Sequence, residues 1–535
     1  MFKSLDKKRI AALAIFLIGI LAVAYYILVA QRVEFDSDYT DTLLWAEAMI
    51  SGHGLFNKAM YYAYTLPFGG SLLMVPFVAI FGISYKAQVL GILVLFVIFV
   101  IALYMMFKAM DFSVNESLVA VGTIMLFTLP SKEIRMTMWG HVIHYSLGLL
   151  FVALALWMFS KINISDICIN IGGKGGKKIT FGNKQNVIWI VVLAVFSLLC
   201  CSNGLTTILF FVIPFFGAVI IERFIDTDNE LFSKENISTL AVVIISFIAG
   251  GAGFVASKIL QRGVVTVYDS MFKDIPMWQH WVWDINERVR IFLMCSTGIV
   301  ENKVAMESFS GIRIMYMALF SFILIFVPFI ATISYKKFEN RIMKIFLISY
   351  YILLFATLFV FDFSMARGTS HRLTGVYMTA ISATVMYMIW LARDIKLQRF
   401  GYVLGIVFVM AGLFCLYGVA SLRGQNRYDG LIKVLKDNNL KYGYAEYWSA
   451  QVTTVLSDNN VEVCPIIISE DGELSKNLYN IYEEQYATKD GVDRYFAFLS
   501  AWEYETVKDT LASDAIDVIQ YDSDGYIVVF DHNIF

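Results

Sequence analysis

The sequence predicts a polytopic α-helical membrane protein with a small α/β domain at its C-terminal end. The 535 residues are 58% hydrophobic and only 16% charged, with a mean hydropathy of +0.66. Apolar runs of about 18 residues or more recur, each enough to cross a bilayer core. From residue 421 onward, strand-like and helix-like pieces alternate, and 20 acidic side chains face 9 basic ones, a net −11 that leaves +9 for the rest. A soluble chain could not hide this much apolar surface. The acidic tail argues against nucleic acid as a partner.

Lys7, Lys8 and Arg9 precede the first apolar run, residues 10–30, and place the N-terminus in the cytoplasm. The run is too long for a signal peptide, and no small-residue cleavage site precedes Gln31. The acidic stretch that follows then emerges on the outer side. Residues 61–70 are aromatic and turn-rich, like an interface belt, and 72–81 are too short to span alone. Spans follow at 87–106, 117–129 and 142–159, with a short outer loop at 130–140. Residues 161–185 form a lysine-rich inner loop. Its Gly-Gly-Lys-Gly-Gly-Lys-Lys run lacks the Lys-Ser/Thr ending and strand–helix context of a phosphate loop.

Residues 187–221 are too long for one span, and Ser202-Asn203-Gly204 breaks them into an outgoing and a returning helix. After a span at 240–256, residues 258–290 make a long outer loop rich in Trp278, His280, Trp281 and Trp283. Residues 291–300 read as a short surface segment. Later spans fall at 314–332, 345–361, 373–391 and 402–420. Lys336, Lys337, Arg341 and Lys344 mark one inner turn, and Arg393, Lys396 and Arg399 the next. About eleven spans result, with the tail outside. In that tail, strands are expected at 461–468, 495–499, 516–520 and 526–530, and helices at 449–458, 474–487 and 502–512. It has no G-x-G-x-x-G, so no dinucleotide site is expected. The six cysteines show neither metal-ligand spacing nor a disulfide framework.

The outer polar residues come from three loops. The first supplies Asp36, Asp38, Asp41 and His53, the second Lys132, Glu133, Arg135, His141 and His144, and the third Asp362, Arg367, His371 and Arg372. Carboxylates in one loop and cations in others suit transfer from a lipid phosphate. A carboxylate takes the proton of an attacking hydroxyl, and Arg or Lys neutralises the departing phosphate. Each candidate also has a plain structural reading. Asp38 is a good N-cap for the helical pattern after it, Asp41 fits a solvated first turn, Arg372 fits an interface anchor, and the tryptophans fit a belt. His141 and His144, at i and i+3, have metal-ligand spacing and with Asp36 or Asp38 form a candidate divalent-metal set; hydrogen bonding at the interface is the simpler reading.

Asp38 followed by Tyr39, Thr42, Trp45-Ala46, Met49 and Gly52-His-Gly54, then tyrosines and Leu66-Pro67, resembles the first outer loop of GT-C membrane glycosyltransferases. The similarity is to the branch of protein O-mannosyltransferases, aminoarabinose lipid A transferases and bacterial relatives. It extends in outline to the split helix pair around Asn203 and the span-plus-tail layout. The run Tyr442-Gly-Tyr-Ala-Glu-Tyr-Trp448 is similar to tails of related bacterial membrane proteins. The resemblance implies a transmembrane domain over residues 1–420 with a catalytic outer loop at 31–86, and an extracytoplasmic domain over 421–535. It implies an enzyme that inverts a polyprenyl-phosphate sugar donor onto an extracytoplasmic acceptor.

By position, Asp38 matches the catalytic acidic residue, whose usual Glu neighbour is Tyr39 here, so Asp36 or Asp41 is left to supply a second carboxylate. Gly69-Gly70 stand where Pro-Pro is common. Arg372 matches a phosphate-binding cation, with Arg135 and His371 as further phosphate candidates, and His53, Tyr61, Tyr62, His141 and Trp281 as substrate contacts. Two rival readings are a transporter or flippase of lipid-linked glycans and a catalytically silent scaffold. The first calls for ionisable residues at mid-span and a repeated span pattern, and neither is evident.

Overall fold

The computed structural model of the chain describes residues 7–170, 178–225, 233–267, 285–297, 305, 307–363, 370–511, 513–522 and 525–535. The chain divides into two compact units. One comprises residues 1–26, 96–258 and 276–421, the other 27–95, 259–275 and 422–535.

Among the described residues, nine helices are long and apolar enough to cross a membrane, or ten if the bent pair Lys132–Trp139 and His144–Ser160 is one span. The protein is therefore a multi-pass membrane protein. With the bent pair counted, the one expected span not met is at Val114–Leu126. Its 13 residues make about 20 Å of helix, less than a hydrocarbon core of about 30 Å. The break at Ser202–Gly204 is where the sequence places it, with Gly204 at φ +84 between Lys184–Cys201 and Leu205–Ile225. Lys132–Trp139 corrects the expected loop: Ser131 Oγ accepts from the Ile134 amide at 3.1 Å and starts a helix there.

In the first unit, helices approach through small residues. A Cβ on Gly19 would lie 2.1 Å from the Gly122 carbonyl oxygen, and one on Gly253 would lie 2.0 Å from that of Leu198. Between membrane helices, where lipid competes for every apolar face, such backbone contact supplies the attraction. The helix Thr374–Arg393 is the hub: 89% of its apolar window is buried. Two ion pairs close the bundle at its basic turns. Arg393 grips Glu116 with bonds of 2.6 and 2.7 Å, and Arg341 Nε donates to the buried Glu222 at 2.8 Å.

The second unit is built on a six-stranded sheet. Its order is Asp517–Gln520, Gly525–Phe530, Tyr495–Ser500, Tyr442–Glu446, Glu462–Ile468 and Leu474–Lys476. Tyr442–Glu446 runs parallel to both its neighbours, and the remaining pairs are antiparallel. Tyr444, Cys464, Tyr495, Leu499, Val528 and Phe530 fill the core. The strand Tyr442–Glu446 was not foreseen. The helix expected at 474–487 is not there: Leu474–Lys476 pairs with Glu462–Ile468, Asn480 sits at φ +53, and only a short turn follows at Glu483–Tyr486. A second sheet sets Met60–Tyr62 between Val265–Thr266 and Ile481–Tyr482.

Candidate active site

The acidic stretch opens where the first long helix stops. Phe35 turns extended and packs between Tyr39 at 5.2 Å and Tyr85 at 5.3 Å. Asn426 ties this corner down by donating to the carbonyls of Arg32 at 2.7 Å and Phe35 at 2.8 Å, and Arg32 pairs with Asp429 at 2.7 Å. Asp36 is extended, and Ser37–Thr40 make a single 3₁₀ turn that carries Asp38. The helix Asp41–Ser51 follows with Thr40 in the N-cap position, so Asp38 is not its cap.

The three carboxylates have different surroundings. Asp41 is 1% exposed and accepts from Asn480 Nδ2 at 2.6 Å. The Asn480 oxygen takes the Trp45 indole N–H and the Ala63 amide, both at 2.8 Å. This overturns the solvated reading of Asp41: it is the anchor of the turn. Asp36 and Asp38 remain half-buried. Tyr447 donates its hydroxyl to Asp38 Oδ1 at 3.2 Å, and its own carbonyl accepts from Ser37 Oγ at 2.8 Å. Burial first, then the charges of Asp41 and Asp38, push the Tyr447 hydroxyl far above the ordinary tyrosine range. It therefore stays a donor and favours the ionised form of Asp38.

Of the other first-loop candidates, His53 is exposed at φ +49. Tyr61 is half-buried and donates to Glu483 at 3.2 Å, while Tyr62 is buried and accepts from the Asn57 amide at 2.9 Å. Tyr62 thus holds the loop's shape, and Tyr61 and His53 face outward. Trp278, His280, Trp281, Trp283, Arg367 and the side chain of Asp362 lie outside the described residues.

His141, His144, His371 and Arg372 of the second and third loops gather in the first unit. The turn Ser370–Leu373 brings His371 5.8 Å from Tyr145, ring to ring, and His144 lies tilted against Tyr145 at 4.2 Å and 5.1 Å from Phe210. His141, His371 and Arg372 all lie within electrostatic range of His144. Two loops about 230 residues apart therefore make one aromatic-lined patch of histidines with Arg372 beside them. Arg135 is 6% exposed, donates to the Leu129 carbonyl at 2.7 Å and sits 5.7 Å from the Tyr26 ring. Among the described residues no three His, Cys, Asp or Glu side chains gather as metal ligands would, so the set of Asp36, His141 and His144 is not assembled there.

Sequence reasoning missed Asn426, Tyr447 and Asn480, the polar residues that fix the acidic turn. The only signal was the run Tyr442–Trp448, which stood out without a role.

No protein-family model matches the sequence, and no curated protein does. Solved structures do. ArnT from Cupriavidus metallidurans in its apo state aligns over 97% of this chain and 98% of its own, at 11% identity and a TM-score of 0.54. The same protein bound to undecaprenyl phosphate aligns over the same shares, at 12% identity and 0.53. The Archaeoglobus fulgidus oligosaccharyltransferase is matched over 84% of this chain at 12% identity and a TM-score of 0.44, and the chain spans 64% of that protein's length. The chain has the fold of GT-C membrane glycosyltransferases. Within that class, ArnT is a neighbour that it matches from end to end.

Proposed function

We propose that the chain is an integral-membrane glycosyltransferase that moves a sugar from a polyprenyl-phosphate donor to an extracytoplasmic acceptor with inversion. The acceptor hydroxyl oxygen attacks the anomeric carbon, the bond from that carbon to the phosphate oxygen breaks, and polyprenyl phosphate leaves. Asp38 takes the hydroxyl proton, and Asp36 is the second carboxylate of the same turn. Arg372, with His371 and His141 beside it, holds the phosphate as its charge grows. His53 and Tyr61 are the first-loop candidates for acceptor contact. In this reading the N-terminus is cytoplasmic and residues 421–535 are extracytoplasmic, which the basic residues of the inner turns support.

The observation that carries this reading is the full-length likeness to ArnT, one of whose structures holds undecaprenyl phosphate. The test is to incubate the purified chain with a polyprenyl-phosphate sugar and a membrane extract as acceptor source. Release of polyprenyl phosphate with inverted anomeric configuration in the product is expected. No release, or retention of configuration, would remove the proposal.

A further inference from the structure

A groove of about 700 Å³ opens in the first unit among the helices Leu205–Ile225, Phe309–Ile333 and Arg341–Phe363. The volume is that of a small-molecule site. Its walls are apolar, with Ile225, Ile352 and Phe355 among them, and its mouth is Tyr335 and Lys336. From Leu347 to Ala356 it follows one helix for about 14 Å. Phe355 is 62% exposed and Ile225 44%, so the walls continue onto the face that meets lipid tails. Partway along, Thr332 Oγ1 and Tyr351 OH bond each other at 2.7 Å, which leaves the lining without a free hydroxyl pair.

The mouth is positive. Lys336 is exposed there, and Lys344 Nζ lies 5.5 Å over the Tyr335 ring. Glu339 is the carboxylate of this turn, and Arg341 is taken up by Glu222. An apolar slot open to lipid with a cationic rim matches a molecule with an acyl chain and an anionic head. We propose that this groove binds an anionic diacyl phospholipid, one chain along Ile352 and Phe355 and the phosphate against Lys336. The site lies at the far end of the helix Leu205–Ile225 from Phe210, and it does not depend on the transferase reading.

The test uses the full chain in phosphatidylcholine nanodiscs doped with phosphatidylglycerol, with retained lipid counted by native mass spectrometry. Phosphatidylglycerol should be retained in preference to phosphatidylcholine. Lys336→Gln should weaken that retention about fivefold, Lys336→Arg should restore it, and Lys337→Gln, outside the groove lining, should change it little. Ile352→Trp should block the slot and abolish retention, and melting in pure phosphatidylcholine confirms that each variant is folded. Equal retention of both lipids would overturn the proposal. So would equal losses in Lys336→Gln and Lys337→Gln, or preferential displacement by undecaprenyl phosphate at equal mole fraction.

Discussion

The two units hold together by different physics. In the bundle, glycines let backbones touch, as at Gly19 and Gly122, and among the described residues the charged pairs lie at the helix ends. In the second unit, neutral side chains cross from residues beyond 420 to the acidic turn: Asn426 to Arg32 and Phe35, Tyr447 to Asp38, Asn480 to Asp41. The bundle is thus specified by shape and the acidic turn by hydrogen bonds. A carboxylate kept ionised and in place is what a general base requires. If Asp38 is the base proposed above, the C-terminal residues help to hold it in place.

The contrast predicts where each unit breaks. The largest loss should come from Asn480→Ala, which strips the buried Asp41 carboxylate and the Trp45 indole of partners. About 3 kcal/mol of stability should go, read as a lower melting midpoint in detergent; a midpoint unchanged within error would remove Asn480 as the anchor. Next is Arg372→Ala in the bundle. It should weaken undecaprenyl phosphate binding by about 2 kcal/mol, or some thirtyfold, without lowering the melting midpoint much. Equal binding would take Arg372 out of the phosphate patch.

Tyr447→Phe should cost about 1 kcal/mol. Its signature is in the pH profile: without the donated hydrogen bond, the acid limb of turnover should move to higher pH. A uniform drop at every pH would mean that Tyr447 is only structural.

The smallest effects separate the units by the sign of their pH dependence. Burial would raise the Glu116 carboxyl, but the bonds from Arg393 and Ser113 outweigh it and hold it at about 2. Its contribution is present above the unfolded value near 4.5 and is lost as pH falls toward 2. In the second unit, burial and then the Glu503 charge raise Glu446. Its folded form is therefore favoured at low pH and loses stability as pH rises past the unfolded value. Glu116→Gln should flatten the acid limb of stability, and Glu446→Gln should raise the midpoint slightly at neutral pH. Melting curves from pH 3 to 8 test both.

Much of the bundle was legible, because apolar run length and basic turns report directly on spans. The break at Gly204 was legible because few residues but glycine take that backbone shape. The short helix Val114–Leu126 passed for a span, since an apolar run does not show where its helix ends. In the tail, residues 474–487 have helical spacing, yet pairing with Glu462–Ile468 overrides it at Leu474–Lys476. Asp36, Asp38 and Asp41 stood out in the sequence because three carboxylates crowd just past an apolar run. Tyr447 and Asn480 were not, because partners more than 400 residues away leave no local trace.

The most direct test is single-turnover transfer from a polyprenyl-phosphate sugar by Asp38→Asn, with undecaprenyl phosphate binding measured on the same sample. Transfer should fall by at least about a hundredfold while binding stays at the wild-type level. Wild-type transfer by that variant would show that Asp38 is not the base.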